Sequence, residues 1–182
     1  DGTDAAPGSA IVGTLYKSGL AMMGRVVAGG IVLAALIGGA AMWYLQVYGY
    51  YRDVALGQGS LDDGLTTIQL VDAAGEYVAL DPQGFQGITS DSSPIRFRAC
   101  MMLDDPDAAI AVAPPALNAE PLVAPFWFDC FDAVAIGTDI EAGRASAILA
   151  EENVVNGIDR VLAIYPDGRA YAWHQLNDTF KK

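Results

Sequence analysis

The chain has 182 residues, 53% of them hydrophobic, and carries 22 acids against 10 bases for a net charge of −12. From Asp53 onward there are 20 acids and 7 bases, a net of −13, which excludes the basic footprint that nucleic acid or an anionic lipid surface requires. The length holds one membrane helix plus one domain of about 130 residues, large enough to bury its own core.

Residues 1–22 open without Met, and Met22-Met23-Gly24-Arg25 leads straight into an apolar run. The expectation is a native start at Met22 or Met23, with the preceding piece a non-native or disordered extension that is assigned no fold. Val26 to Val47 contains no charge, and Gln46 is its one strongly polar residue. About 20 such residues cross a hydrocarbon core of roughly 30 Å. Gly30, Ala34 and Gly38 form a small-residue stripe, a feature common in membrane helices with or without a partner helix. Trp43, Tyr44, Tyr48, Tyr50 and Tyr51 crowd the far end, as interfacial rings do. Lys17 and Arg25 precede the run and only Arg52 follows it closely. The bias predicts an uncleaved signal anchor over 23–51, with the N-terminus cytoplasmic and the domain on the outward side.

Residues 52–64 read as a linker with Gly and Asp but no periodicity. The domain is expected over 65–177. Thr66–Val71 and Glu76–Leu80 flank Asp72-Ala73-Ala74-Gly75 and predict a hairpin, ended by Asp81-Pro82. Ser93–Leu103 predicts a strand with Ile95, Phe97, Ala99 and Met101 on one face and Arg96, Arg98 and Cys100 on the other. Asp104-Asp105-Pro106-Asp107 closes it. These acids lack the alternation and distal Glu of a calcium loop. The Pro-broken stretch Ala108–Val123 reads as loop with a short strand at 109–112.

An aromatic segment around Trp127 and Phe128 leads into a helix in which Phe131, Ala135, Ile136 and Ile140 share a face and Gly143 ends the turn. Ala145–Glu151 predicts a strand. Val161–Tyr165 and Arg169–His174 around Pro166-Asp167-Gly168 predict a second hairpin. Residues 178–182 are polar and expected to fray. The fold class is α+β: one transmembrane helix, then an antiparallel sheet with one or two short helices.

Cys100 and Cys130 are the only thiols, too far apart for a redox C-x-x-C, so a bridge is expected in an oxidising compartment. A thiol-redox pair activated by Arg98 is the functional alternative. His174, the sole histidine, shares a strand face with Ala172 and Leu176 and reads as packing; with the cysteines it is also the one handle for hydrolytic chemistry. Arg96, Arg98 and Arg160 stand out among few bases, either paired with Glu151, Glu152 and Asp159 or forming a small-anion site. No metal-ligand set, phosphate loop or cofactor motif is present in the sequence.

Tyr44-Leu45-Gln46-Val47-Tyr48, Ser93–Cys100, Trp127–Ala133, Gly157–Val161 and Asp167–Gln175 together resemble a family of short bacterial membrane-anchored proteins known only as a domain of unknown function. The resemblance runs from Met23 to about Asn177 and departs at Asp178–Lys182, where the family pattern continues differently. It implies an inner-membrane anchor carrying one domain and brings no catalytic residues. Members are sometimes labelled histidine kinase, yet one histidine and about 130 soluble residues leave no space for a nucleotide-binding kinase domain. The leading expectation is a non-enzymatic binding or assembly module in the envelope with a protein partner. An acidic docking face, a tethered thiol or hydrolytic enzyme, and a small-anion sensor are the alternatives.

Overall fold

The computed structural model describes the backbone over residues 8–177 and, Asp62 apart, side chains over 23–177. The expected fraying of 178–182 lies outside the described residues, as do the first seven residues of the expected extension. The chain divides into two compact units, up to Gln46 and from Val47 onward. The first is one long helix, α1 (Gly8–Tyr44), which begins upstream of Met23 and passes into a π turn at Leu45–Gly49. Met23–Gly49 is long and apolar enough to cross a membrane.

The second unit is a mixed α+β domain. Its strands are β1 (Tyr51–Leu56), β2 (Leu65–Thr66), β3 (Ile68–Val71), β4 (Tyr77–Leu80), β5 (Gln83–Ser90), β6 (Arg98–Met102), β7 (Ser146–Val155), β8 (Ile158–Ile164) and β9 (Arg169–Leu176). Seven of them form one sheet in the order β2-β1-β5-β6-β9-β8-β7, antiparallel throughout except for the short β1–β2 pair. The β3–β4 hairpin stands apart and covers one face.

Period-2 alternation divides the central strands between two cores. Phe97, Ala99, Met101, Leu162, Ile164, Ala170 and Ala172 point to the face covered by Ile68 and Leu70 of the hairpin and by Ala109 of α2 (Pro106–Val112). Cys100, Val161, Ala163 and Trp173 point the other way, under Phe131 and α3 (Ala133–Glu141). Burial on both faces gives β8 its near-continuous apolar run. The β7 edge is closed by Pro114–Ala116, where Ala116 N donates to Ala147 O (3.0 Å) and Leu149 N to Pro114 O (2.9 Å).

Both predicted hairpins are present, the second with Gly168 at φ +90°. Gly143 ends α3 at φ +68°. Several local expectations differ. Residues 52–64 are not a tether throughout: β1 pairs with β5 along Tyr51–Val54, and only Val54 of that strand is buried, so no alternation was there to read. β5 itself was missed because Gly84 and Gly87 dilute its pattern. Residues 109–112 are helix rather than strand. Asp105, read as a strand terminator, is the N-cap, accepting from Ala108 N at 3.0 Å, with Pro106 in the first turn. The strand expected from Ser93 begins as a 3-10 turn at Pro94–Arg96. In α3 the buried face is Ala133 and Ile136, while Ala135 is exposed.

Candidate functional site

A cleft of about 550 Å³ opens at one end of the sheet, on the face that carries the β3–β4 hairpin. Arg160 of β8 lies at its floor between Glu151 of β7 and His174 of β9, both in direct cross-strand register with it. That row depends on a bulge between Leu149 and Glu151. Ala150 already faces this core, so plain alternation would send Glu151 to the opposite side. The extra residue turns it back toward Arg160.

Arg160 is buried, and three contacts hold it. Its Nε donates to His174 Nε2 (3.2 Å), Nη1 donates to Thr67 O (2.8 Å), and Nη1 lies 3.7 Å from Glu151 Oε2. The guanidinium also stands 4.9 Å over the Phe97 ring. Nη2 has no hydrogen-bond partner among the described residues, and the side chain lines the cleft. Burial lowers the Arg160 pKa, and the Glu151 charge opposes that shift. A guanidinium starts high enough to remain a cation.

His174 is fully buried and stacked on Phe97 at 4.6 Å. Because Nε2 accepts from Arg160, the ring proton sits on Nδ1 and is donated to Pro94 O (2.8 Å). Burial, and then the neighbouring Arg160 charge, push its pKa down to about 3, so the ring is neutral at physiological pH. The cleft rim adds Ser60, Thr66, Thr67, Thr89 and Ser90, with Arg52 ion-paired to Asp91 at 3.0 Å. It is a hydroxyl-rich surface around one buried cation.

The three arginines of the expected anion site are not brought together. Arg98 faces the opposite side of the sheet. There its Nε donates to Leu122 O (2.6 Å), its Nη1 to Ile95 O (2.8 Å) and Phe97 O (2.6 Å), and its guanidinium stands over Phe131 at 5.9 Å. Burial brings its pKa down to about 10. Arg96 is half-buried, 5.7 Å over Tyr51 and 3.3 Å from Ser92 Oγ. Of the expected acidic partners, Glu151 does pair with Arg160, whereas Asp159 accepts from Asn153 N and Asn177 Nδ2.

Cys100 and Cys130 form a disulfide that ties β6 to the segment entering α3. The rings expected at a membrane interface fall into two groups. Trp43, Tyr44 and Tyr50 are exposed. Tyr48 and Tyr51 pack on Trp127 at 6.1 and 5.7 Å between centroids. No group of three or more metal-ligating side chains occurs among the described residues. What the sequence reading missed is the hydroxyl set. Thr89 and Ser90 end a strand that was not recognised, and Ser60 lies in the stretch taken as linker.

Fold and site together define a mixed α+β domain following one apolar N-terminal helix. The chain belongs to the family of unknown function DUF6446, whose model matches residues 68–182 and so takes in Cys100, Cys130, Glu151, Arg160 and His174. No curated protein and no solved structure matches the chain.

Proposed function

We propose that this is a single-pass bacterial inner-membrane protein, N-terminus cytoplasmic, whose outward acidic domain is a non-enzymatic binding module. Its cleft takes a small carboxylate or comparable oxyanion through Arg160. The observation that carries this reading is the unpartnered Nη2 edge of a buried guanidinium lining a hydroxyl-rimmed cavity. Buried guanidinium donors suit oxyanions because the fork geometry matches two oxygens and the low dielectric strengthens the pair. The acid can be a free solute or a chain-end carboxylate of an envelope protein, since both present the same group. Two features favour binding over catalysis. Both sulfurs are in the bridge, and both ring nitrogens of His174 are engaged. The bridge also suits an oxidising outward compartment.

The test is thermal unfolding of the full chain in detergent with acetate, succinate, phosphate and sulfate, each against chloride at matched ionic strength. A ligand at a hundredfold excess over its Kd stabilises by about 2.7 kcal/mol. A rise that is lost in Arg160→Lys is expected. Equal midpoints in every anion would end the binding reading. Orientation is read separately with a membrane-impermeant maleimide on intact cells. Labelling of Cys100 and Cys130 only after reduction fits an outward domain, and labelling only after lysis contradicts it.

A further inference from the structure

On the face of the sheet away from the cleft, the segment leading into α3 exposes three large apolar side chains. Val123 is 77% exposed, Phe126 69% and Val134 75%, and all three line one shallow depression. In a domain with a net charge of −13, such a patch needs something to cover it.

What covers it follows from its neighbours. Trp127 Nε1 donates to Val47 O at 2.8 Å. Tyr48 stacks on Trp127 at 6.1 Å and meets Phe126 edge-on at 5.9 Å. Val47 and Tyr48 lie in the last residues of the apolar span Met23–Gly49. At 27 residues that span is roughly 40 Å long as helix, more than a hydrocarbon core of about 30 Å, so its end emerges in the headgroup layer. Phe126 is therefore in ring contact with a residue at headgroup depth. Aromatic side chains are favoured at that depth because the layer offers both apolar and polar partners.

We propose that Phe126, Val123 and Val134 enter the outer-leaflet interface of the bilayer that holds the span, seating the domain on its own membrane. The inference rests on the single-pass anchor reading. Asp129 and Asp132 flank the patch, so the contact depends on apolar insertion between headgroups and gains nothing from anionic lipid.

The experiment is photocrosslinking of the full chain in vesicles of phosphatidylethanolamine and phosphatidylglycerol. p-Benzoylphenylalanine replaces Phe126, Val134, Trp43 or Tyr77 in separate preparations, with phospholipid adducts read by peptide mass. Trp43 reports the anchor. Tyr77, 64% exposed on β4 over the opposite face of the sheet, reports background. All four side chains are exposed, and Val134 is independent of the Tyr48 contact, so loss of that contact would not mask the result. Lipid adducts at Phe126→p-benzoyl-Phe and Val134→p-benzoyl-Phe close to the Trp43 yield and far above the Tyr77 yield are expected. Their persistence without phosphatidylglycerol is expected too. Adducts at Trp43 but not at 126 or 134 overturn the seating and leave the anchor standing. Adducts to a second copy of the chain overturn it in favour of self-association. Absence of lipid adducts at Trp43 as well removes the anchor reading with it.

Discussion

Acid should destabilise this domain through one side chain that carries no charge in the folded state. His174 is fully buried, its Nε2 faces the Arg160 cation and its ring lies on Phe97, so protonation would place two positive charges side by side in the core. Its pKa is about 3, against about 6.5 in the unfolded chain. Above about pH 6.5 both states are neutral and the full stability is present. Between pH 6.5 and 3 only the unfolded chain takes up the proton, so stability falls as pH falls through that window. At about pH 5 the loss is roughly 2 kcal/mol, and below pH 3 it levels off near about 5 kcal/mol. Because His174 is the sole histidine, imidazole NMR of the full chain in detergent needs no assignment. The expected ring signals hold their neutral shifts at about pH 5, and urea unfolding shows the roughly 2 kcal/mol loss relative to about pH 7.5. In His174→Gln, which keeps an acceptor and a donor, that increment should vanish even if the variant is less stable at both values. An imidazole midpoint near 6.5, or a pH dependence unchanged in His174→Gln, refutes the reasoning.

Three other perturbations test separate parts of the fold. Reducing the Cys100–Cys130 bridge, which closes 30 residues, should lower stability by about 3.6 kcal/mol in the chain-entropy model, read as the difference between unfolding curves with and without reductant. Gly168→Ala should destabilise by about 2–3 kcal/mol, since φ is +90° and a Cβ would lie 2.7 Å from Leu103 O. Gly143→Ala, at φ +68° in open space, should lose only about 1 kcal/mol in the same denaturation assay, and equal losses would show that the Leu103 contact is irrelevant. Trp127→Phe keeps an aromatic ring but removes the donor to Val47 O. It should lower stability by about 1 kcal/mol and raise amide exchange at Gly49–Tyr51 by mass spectrometry, whereas unchanged exchange would mean that the bond does not fix this segment.

Where one physical signal dominated, the sequence was enough. The β8–β9 hairpin had β-rich apolar runs on both sides of Pro166-Asp167-Gly168, and the structure pairs them as adjacent antiparallel strands. The Phe97–Ala99–Met101 face was likewise readable from period 2. Where two signals compete, sequence reading failed. Asp105-Pro106 can end a strand or start a helix, and Ala108–Val112 lacks the length to decide. β1 lacks alternation because a single residue, Val54, meets the core. The candidate site was half legible. The pairing of Glu151 with Arg160 is among the expected ion pairs, but composition alone groups Arg96 and Arg98 with Arg160. Residue parity shows that Arg98 shares a face with Cys100, but only strand order reveals which face Arg160 takes.

That separation gives the two buried arginines different meanings. Arg98 has a neutral role that accounts for its burial. Its donors satisfy the carbonyls of Leu122, Ile95 and Phe97, which fixes the Pro-rich covering segment onto β6 where no regular ladder could. Arg160 lacks such an account. One of its acceptors is a histidine whose pKa it depresses, its carboxylate partner is 3.7 Å away, and Nη2 has no hydrogen-bond partner among the described residues. A well-packed apolar residue there would generally be as stable or more so. The bulge that re-aims Glu151 brings a counter-charge toward that guanidinium, and the histidine held as the Nδ1 tautomer offers Nε2 to orient it. Local arrangements that reduce stability while fixing one polar group in a cavity are expected at binding sites. On the proposed reading the ligand therefore meets Arg160 in the cleft and not the more heavily bonded Arg98.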